Sequence, residues 1–163
     1  MSENHIPALP AAILKWLAAA GILVFVILLS AGNAESAAAF DDVAAAVSAA
    51  VDDTNMQAAD NQMIRRLYGL DPAQYDGVYC LYPTTNMGAE ELFLIKLASL
   101  DQQQAVVDAV TARRDGQRTA FDGYGIEQCA MLDRSVIEVR GNYILFICAE
   151  DTAPVLDAFL GAI

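Results

Sequence analysis

Histidine and positive charge are the scarcest chemistry in this chain. A single histidine, His5, occurs in 163 residues. It precedes everything that reads as a folded domain, so no Ser-His or Cys-His nucleophile pair can assemble there. Cysteine is sparse too: Cys80, Cys129 and Cys148, with no C-x-x-C spacing. A structural zinc site draws four ligands from Cys and His, which excludes that reading. Neither G-x-x-x-x-G-K-[ST] nor G-x-G-x-x-G occurs, so nucleotide chemistry has no signal and no cofactor is expected. Nine Lys and Arg stand against 21 Asp and Glu, a net charge of −12. Glu3 and Lys15 are the only charged side chains before residue 35, so the excess acidity lies downstream. Such a surface repels phosphate backbones and excludes nucleic acid as a partner.

An odd cysteine count leaves at least one thiol unpaired. A Cys80–Cys148 bridge fits an oxidising compartment, but the favoured reading is three small buried hydrophobes.

What the chain does have is one long uncharged run, Trp16 to Ala34. A bilayer-spanning helix needs ~20 mostly apolar residues. A cleaved signal peptide competes, with Leu17–Leu29 as its apolar stretch and small residues at 30–34 as the cut. The weakly basic start and the ring of Trp16 at the edge of the run favour a retained anchor. Lys15 on one side, and Glu35, Asp41 and Asp42 on the other, place the N-terminus in the cytoplasm and the rest outside. The expected organisation is a cytoplasmic 1–15, an anchor over 16–34, an Ala-rich helical stalk over 35–57 and a domain over 58–163.

Phe40, Val43, Val47 and Val51 recur at helical spacing through the Ala-rich stretch. They can line a stalk or pack on the domain. Residues 58–68 read as a second helix, with Met63, Leu67 and Tyr68 inward and Gly69 as its stop. VYCLY (78–82) and Glu91–Leu97 read as strands. On the second, Phe93, Ile95 and Leu97 take one face and Leu92, Leu94 and Lys96 the other. A helix capped by Ser99 or Asp101 runs to Phe121, with Val106, Ala109 and Val110 inward. A short helix over 126–132 follows the glycine-punctuated FDGYGIEQ. Strands 136–140 and 143–149 meet at Gly141-Asn142. Asp151 caps a last helix, with Pro154 in its first turn.

Strand, strand, acid-capped helix thus occurs twice, with AVVDAV (105–110) echoed by PVLDAF (154–159). The expected fold is α+β: a four-stranded antiparallel sheet with helices mainly on one face, in two layers.

PTTNMGAEELFLIKL, the FDGYGIEQ turn and VRGNYILF, in that order, resemble the domain-of-unknown-function family numbered four thousand three hundred and fifty-eight. The resemblance spans roughly residues 60–163. It implies a small bacterial extracytoplasmic protein held by a lipid or membrane anchor, and no activity. The lipid-attachment cysteine common in that family is absent near Gly32, and Ile126 stands where proline is expected in the glycine turn.

Four residues are candidates for a binding site: Asn86, Glu90, Tyr124 and Glu127. Asn86-Met87-Gly88 can present backbone N–H groups as an anion nest or form a plain loop. Tyr124, between Gly123 and Gly125, is a recognition ring or a plug over the sheet. Glu90 or Glu91 with Glu127 can do acid–base work if they converge; otherwise they are solvated charges. Arg113, Arg114 and Arg118 read as a solvated helix face. The reading favoured by these features is a non-enzymatic, membrane-tethered domain that binds a cell-envelope component or protein. The alternatives are a carboxylate-dependent hydrolase and a small-ligand sensor.

Overall fold

The computed structural model describes residues 35–163, together with Lys15 and Gly21. The expected cytoplasmic stretch and membrane run otherwise lie outside the described residues. Among the described residues, no helix is long and apolar enough to cross a membrane.

In chain order the elements are α1 (Phe40–Ala50), β1 (Met56–Ala58), α2 (Asn61–Tyr68), β2 (Gly77–Pro83) and β3 (Glu91–Lys96). They continue with α3 (Gln103–Phe121), α4 (Ile126–Asp133), β4 (Val136–Arg140), β5 (Tyr143–Cys148) and α5 (Ala153–Ala162). Short 3₁₀ turns at Pro72–Gln74 and Leu100–Gln102 lead into β2 and α3. The sheet is antiparallel in the order β1-β2-β3-β5-β4. It has five strands rather than the expected four. The extra one, β1, has three residues and no β-branched side chain. Nothing local marks it. It forms because the outer edge of β2 from Leu81 to Pro83 offers unpaired backbone groups, and a short strand caps such an edge.

Strand alternation divides the core in two. Cys80, Phe93, Ile95, Ile144, Phe146 and Cys148 face α2, α3 and α4, where they meet Ile64, Tyr68, Val106, Val110, Phe121 and Leu132. Leu81, Leu92, Leu94, Tyr143, Leu145 and Ile147 face α1 and α5, where they meet Val43, Val47, Val155 and Phe159. The domain therefore has three layers, not two, with helices on both faces. The two echoed segments sit in α3 and α5, on opposite faces. A two-fold axis normal to the sheet would exchange antiparallel β3 and β5 but keep their helices on one face. The echo is thus not a structural repeat. The unbroken apolar run of β5, buried at every position, is the local sign of a strand covered on both sides.

The Ala-rich helix α1 packs on the sheet as part of the domain rather than forming a stalk. Its Val43 and Val47 are fully buried. Gly77 makes this docking close: a Cβ there would lie 2.2 Å from the Phe40 ring. Just upstream, the Ala38 carbonyl accepts from Lys96 Nζ at 2.8 Å and Tyr143 Oη at 2.9 Å. In α2 the buried pair is Ile64 and Tyr68, while Met63 and Leu67 are half-buried. Asp60 caps its start and Gly69 its end, as expected of that stop. The β4–β5 hairpin closes on Gly141 (φ 53) and Asn142, with positive φ at the first position alone. That is the pattern of a II′ turn rather than I′.

All three cysteines are free. Cys80 and Cys148 flank β3 on either side, pairing across to Phe93 and Glu91. Two strand spacings and a two-residue offset along β3 put their Cα atoms ~12 Å apart, beyond the reach of a disulfide.

Candidate functional site

The helical face of the sheet that carries α2 and α3 holds a buried carboxylate. Glu91 opens β3 with the parity of Phe93 and Ile95, so its side chain points between those helices and is 0% exposed. A carboxylate this deep must be paired or hydrogen-bonded, and its partners come from two helices. Arg113 in α3 donates through Nε at 3.1 and 3.2 Å and through Nη2 at 2.8 Å. Gln117, one turn on, donates from Nε2 at 2.9 Å. Tyr68, at the end of α2, donates its hydroxyl to Oε1, and its ring stacks on Phe93 with centroids 4.2 Å apart.

The electrostatics follow from this packing. Burial, then the Glu91 charge, pushes the Tyr68 hydroxyl well above its usual value, so it stays a donor. Burial pulls Arg113 down, but its hydrogen bonds and charge interaction with Glu91 outweigh that and raise it. Burial and the same carboxylate raise Cys80 and push Cys148 up to about 12. Both thiols are therefore held neutral, the opposite of an activated nucleophile. One atom is left over: Gln117 Oε1 is buried and has no partner.

Above this cluster lies an open groove of about 440 Å³ between α2, α3 and the 83–88 loop. Arg66, Leu67, Tyr82, Asn86, Gln117 and Tyr124 are among its lining residues. The structure thus brings two of the four expected site residues, Asn86 and Tyr124, to one concavity. Tyr124 is 61% exposed and tilts against Phe121 at 5.9 Å. It is a wall of the groove, not a plug over the sheet.

The other candidates disperse. Glu90 turns back to accept from Ala89 N at 3.0 Å and lines a separate hollow with Asp52, Asn55 and Asp151. Glu127 is exposed on α4. With Glu91 enclosed, the three carboxylates occupy three separate places and form no acid–base pair. The anion nest is also absent at 86–88, because the loop uses its own donors: Met87 N reaches Thr85 Oγ1 and Gly88 N reaches Thr85 O.

Arg113 is the largest correction. It is not part of a solvated helix face, although Arg114 and Arg118 are, pairing with Asp115 and Asp133. The signal was in the spacing. Val106, Val110, Arg113, Gln117 and Phe121 form one continuous 4-3-4-4 stripe, which marks one face of a helix whatever the polarity of its members. Parity along β3 marked Glu91 in the same way.

A family model described as Domain of unknown function (DUF4358) matches residues 49–149. That range contains the whole sheet, the groove and every member of the Glu91 cluster. No curated protein and no solved structure matches the chain.

Proposed function

Because the chain belongs to the DUF4358 family, whose description carries no activity, we propose a function from the residues themselves. The protein is a non-catalytic binding module, tethered to the cell membrane by residues 16–34 and displayed outside the cytoplasm. Its ligand face is the groove between α2, α3 and the 83–88 loop.

One observation carries the reading. The groove gathers Asn86, Tyr82 and Tyr124 over a polar floor whose own members are locked by Glu91. The lining is more polar than the apolar walls common in ligand sites, so the fixed polar groups and the two tyrosine rings support the reading. The uncharged run with Trp16 and Lys15 at its edge supports the tether, and the acidic domain suits an exposed soluble module.

Two measurements test it. Protease added to intact spheroplasts should degrade residues 35–163; protection until lysis would overturn the external placement. A thermal-shift screen of small envelope fragments should return compounds that stabilise the full-length chain, with Tyr124→Ala and Asn86→Ala weakening them. Hits insensitive to both substitutions would move the ligand face elsewhere.

A further inference from the structure

The two edges of the sheet are closed differently. β1 caps β2, whereas β4 pairs with β5 and, among the described residues, no strand pairs with its other side. Which of its backbone groups face outward follows from the hairpin. A two-residue turn makes its flanking residues, Arg140 and Tyr143, a hydrogen-bonded pair, and such pairs alternate with open ones along an antiparallel ladder. Asn142 fixes the same phase independently. Its carbonyl accepts from Leu97 N on the β3 side at 2.7 Å, so Tyr143 faces β4. Val136, Glu138 and Arg140 therefore direct their N–H and C=O groups to β5. Ile137 and Val139 direct theirs outward, and among the described residues those groups have no partner.

Most protections of an open edge are missing here. β4 is five residues long, an ordinary strand length, with no Pro and an unbroken register. Ile137 and Val139 are half-buried against the α2–α4 core, and Val136 against the α1/α5 core. What guards the edge is charge. Glu138 and Arg140 share the parity of Val136 and pair at 2.8 Å, both partly exposed. This guard is selective. In a fully overlapped antiparallel pairing with a second copy, Glu138 would stand opposite its own counterpart. That is a non-hydrogen-bonded position, with Cα atoms only ~4.5 Å apart, and like charges there repel. A two-residue shift would match Glu138 with Arg140, but it sets Ile137 against Gly141, whose φ of 53 lies outside the extended region. Only Val139 would then keep its hydrogen bonds.

A strand with a base opposite Glu138 meets neither obstacle. We propose that the open edge of β4 takes an extended segment of a different protein, antiparallel, with Lys or Arg facing Glu138 and apolar residues facing Ile137 and Val139. The backbone groups of Ile137 and Val139 supply the hydrogen bonds, and the apolar side chains of the added strand extend the α2–α4 core. The net charge of −12 draws a basic segment toward the domain. The groove lies at the β2 end of the sheet, so this edge is a second surface and its failure would leave the groove reading untouched.

The test uses the isotope-labelled full-length chain in detergent and the acetylated, amidated peptide Thr-Val-Lys-Val-Thr at millimolar concentration, with amide hydrogen exchange read by NMR. In the free chain the Ile137 and Val139 amides should exchange at least about tenfold faster than that of Glu138, which is bonded to β5. The peptide should slow both. Replacing its Lys by Glu should weaken binding about threefold to tenfold, the scale of exchanging a favourable cross-strand charge pair for a repulsive one. Glu138→Lys should reverse that preference. Methylating the backbone nitrogens of both valines, which face β4, should abolish binding; methylating that of the lysine, which faces away, should change it less than about threefold. No slowing at Ile137 and Val139 with any peptide overturns the assignment, and so does equal sensitivity to the two methylations. Equal binding of the Lys and Glu peptides overturns the basic partner. Protection of Ile137 and Val139 that grows with the concentration of the chain itself would overturn it in favour of a second copy.

Discussion

The two sides of the sheet are built on different terms. Toward α1 and α5, the core is Val43, Val47, Leu92, Leu94, Leu145, Ile147, Val155 and Phe159. Its polar contacts lie at the margin, where Lys96 and Tyr143 meet the Ala38 carbonyl. Toward α2, α3 and α4, an equally apolar layer encloses Glu91, Arg113, Gln117 and Tyr68. The first side follows the ordinary rule that apolar area removed from water stabilises. The second carries charges that are costly to desolvate and that a purely structural core does not need. The difference shows which side bears a desolvation cost that apolar packing would avoid. The groove lies on the polar side.

Four measurements would break or sharpen that contrast. The largest effect is expected from single cuts. Glu91→Ala leaves a guanidinium that is only 21% exposed without its counter-charge, and should cost about 3–5 kcal/mol in denaturant unfolding. On the apolar side, Phe159→Ala should cost a similar 3–5 kcal/mol through its cavity alone. The two sides separate under replacement of the whole cluster. A Glu91→Leu, Arg113→Met, Gln117→Met, Tyr68→Phe variant should retain stability or gain about 1–4 kcal/mol, while losing ligand binding. A variant as unstable as Glu91→Ala would show that the cluster is structural.

The third measurement is alkaline titration. The unfolded Cys148 thiol ionises near its ordinary pH ~8.5–9, and the folded one at about 12. Between those values the unfolded state binds fewer protons, so stability falls as pH rises. From pH 9 to 10 the loss should be about 1 kcal/mol for this thiol, and Cys148→Ala should remove that share of the slope while the share of Cys80 remains. A slope unchanged in the variant would mean that the thiol is not held neutral by burial. The smallest effect is expected from Arg66→Gln, which should leave unfolding within about 0.5 kcal/mol of the parent. A larger loss would show that Arg66 supports the fold as well as the groove.

The strands from Val78 to Cys148, the helix ending at Phe121, the stop at Gly69 and the cap at Asp151 were legible because each is written locally, in spacing and in turn chemistry. β1 was not, since three unremarkable residues become a strand only against β2. Burial of Arg113 and Gln117 was half legible: their positions on the stripe were readable, but polarity argued for solvent and the partner carboxylate lay 22 and 26 residues away in sequence. Asn86 was singled out as part of a backbone N–H nest and Tyr124 for its flanking glycines; both line the groove, although the nest does not form. Glu90 was singled out for its neighbour, and adjacent strand residues point apart.

Composition and local pattern determined by themselves the acidity, the absence of histidine after residue 5, the uncharged run at 16–34 and the periodicity of nearly every element. Tertiary structure alone decided which helices cover each face, that α1 belongs to the domain and that one glutamate is enclosed by an arginine, a glutamine and a tyrosine. The physical reason is range. Backbone propensity and side-chain periodicity act over a few residues, whereas which face a helix covers, and which charge meets which, depends on contacts between segments far apart in the chain.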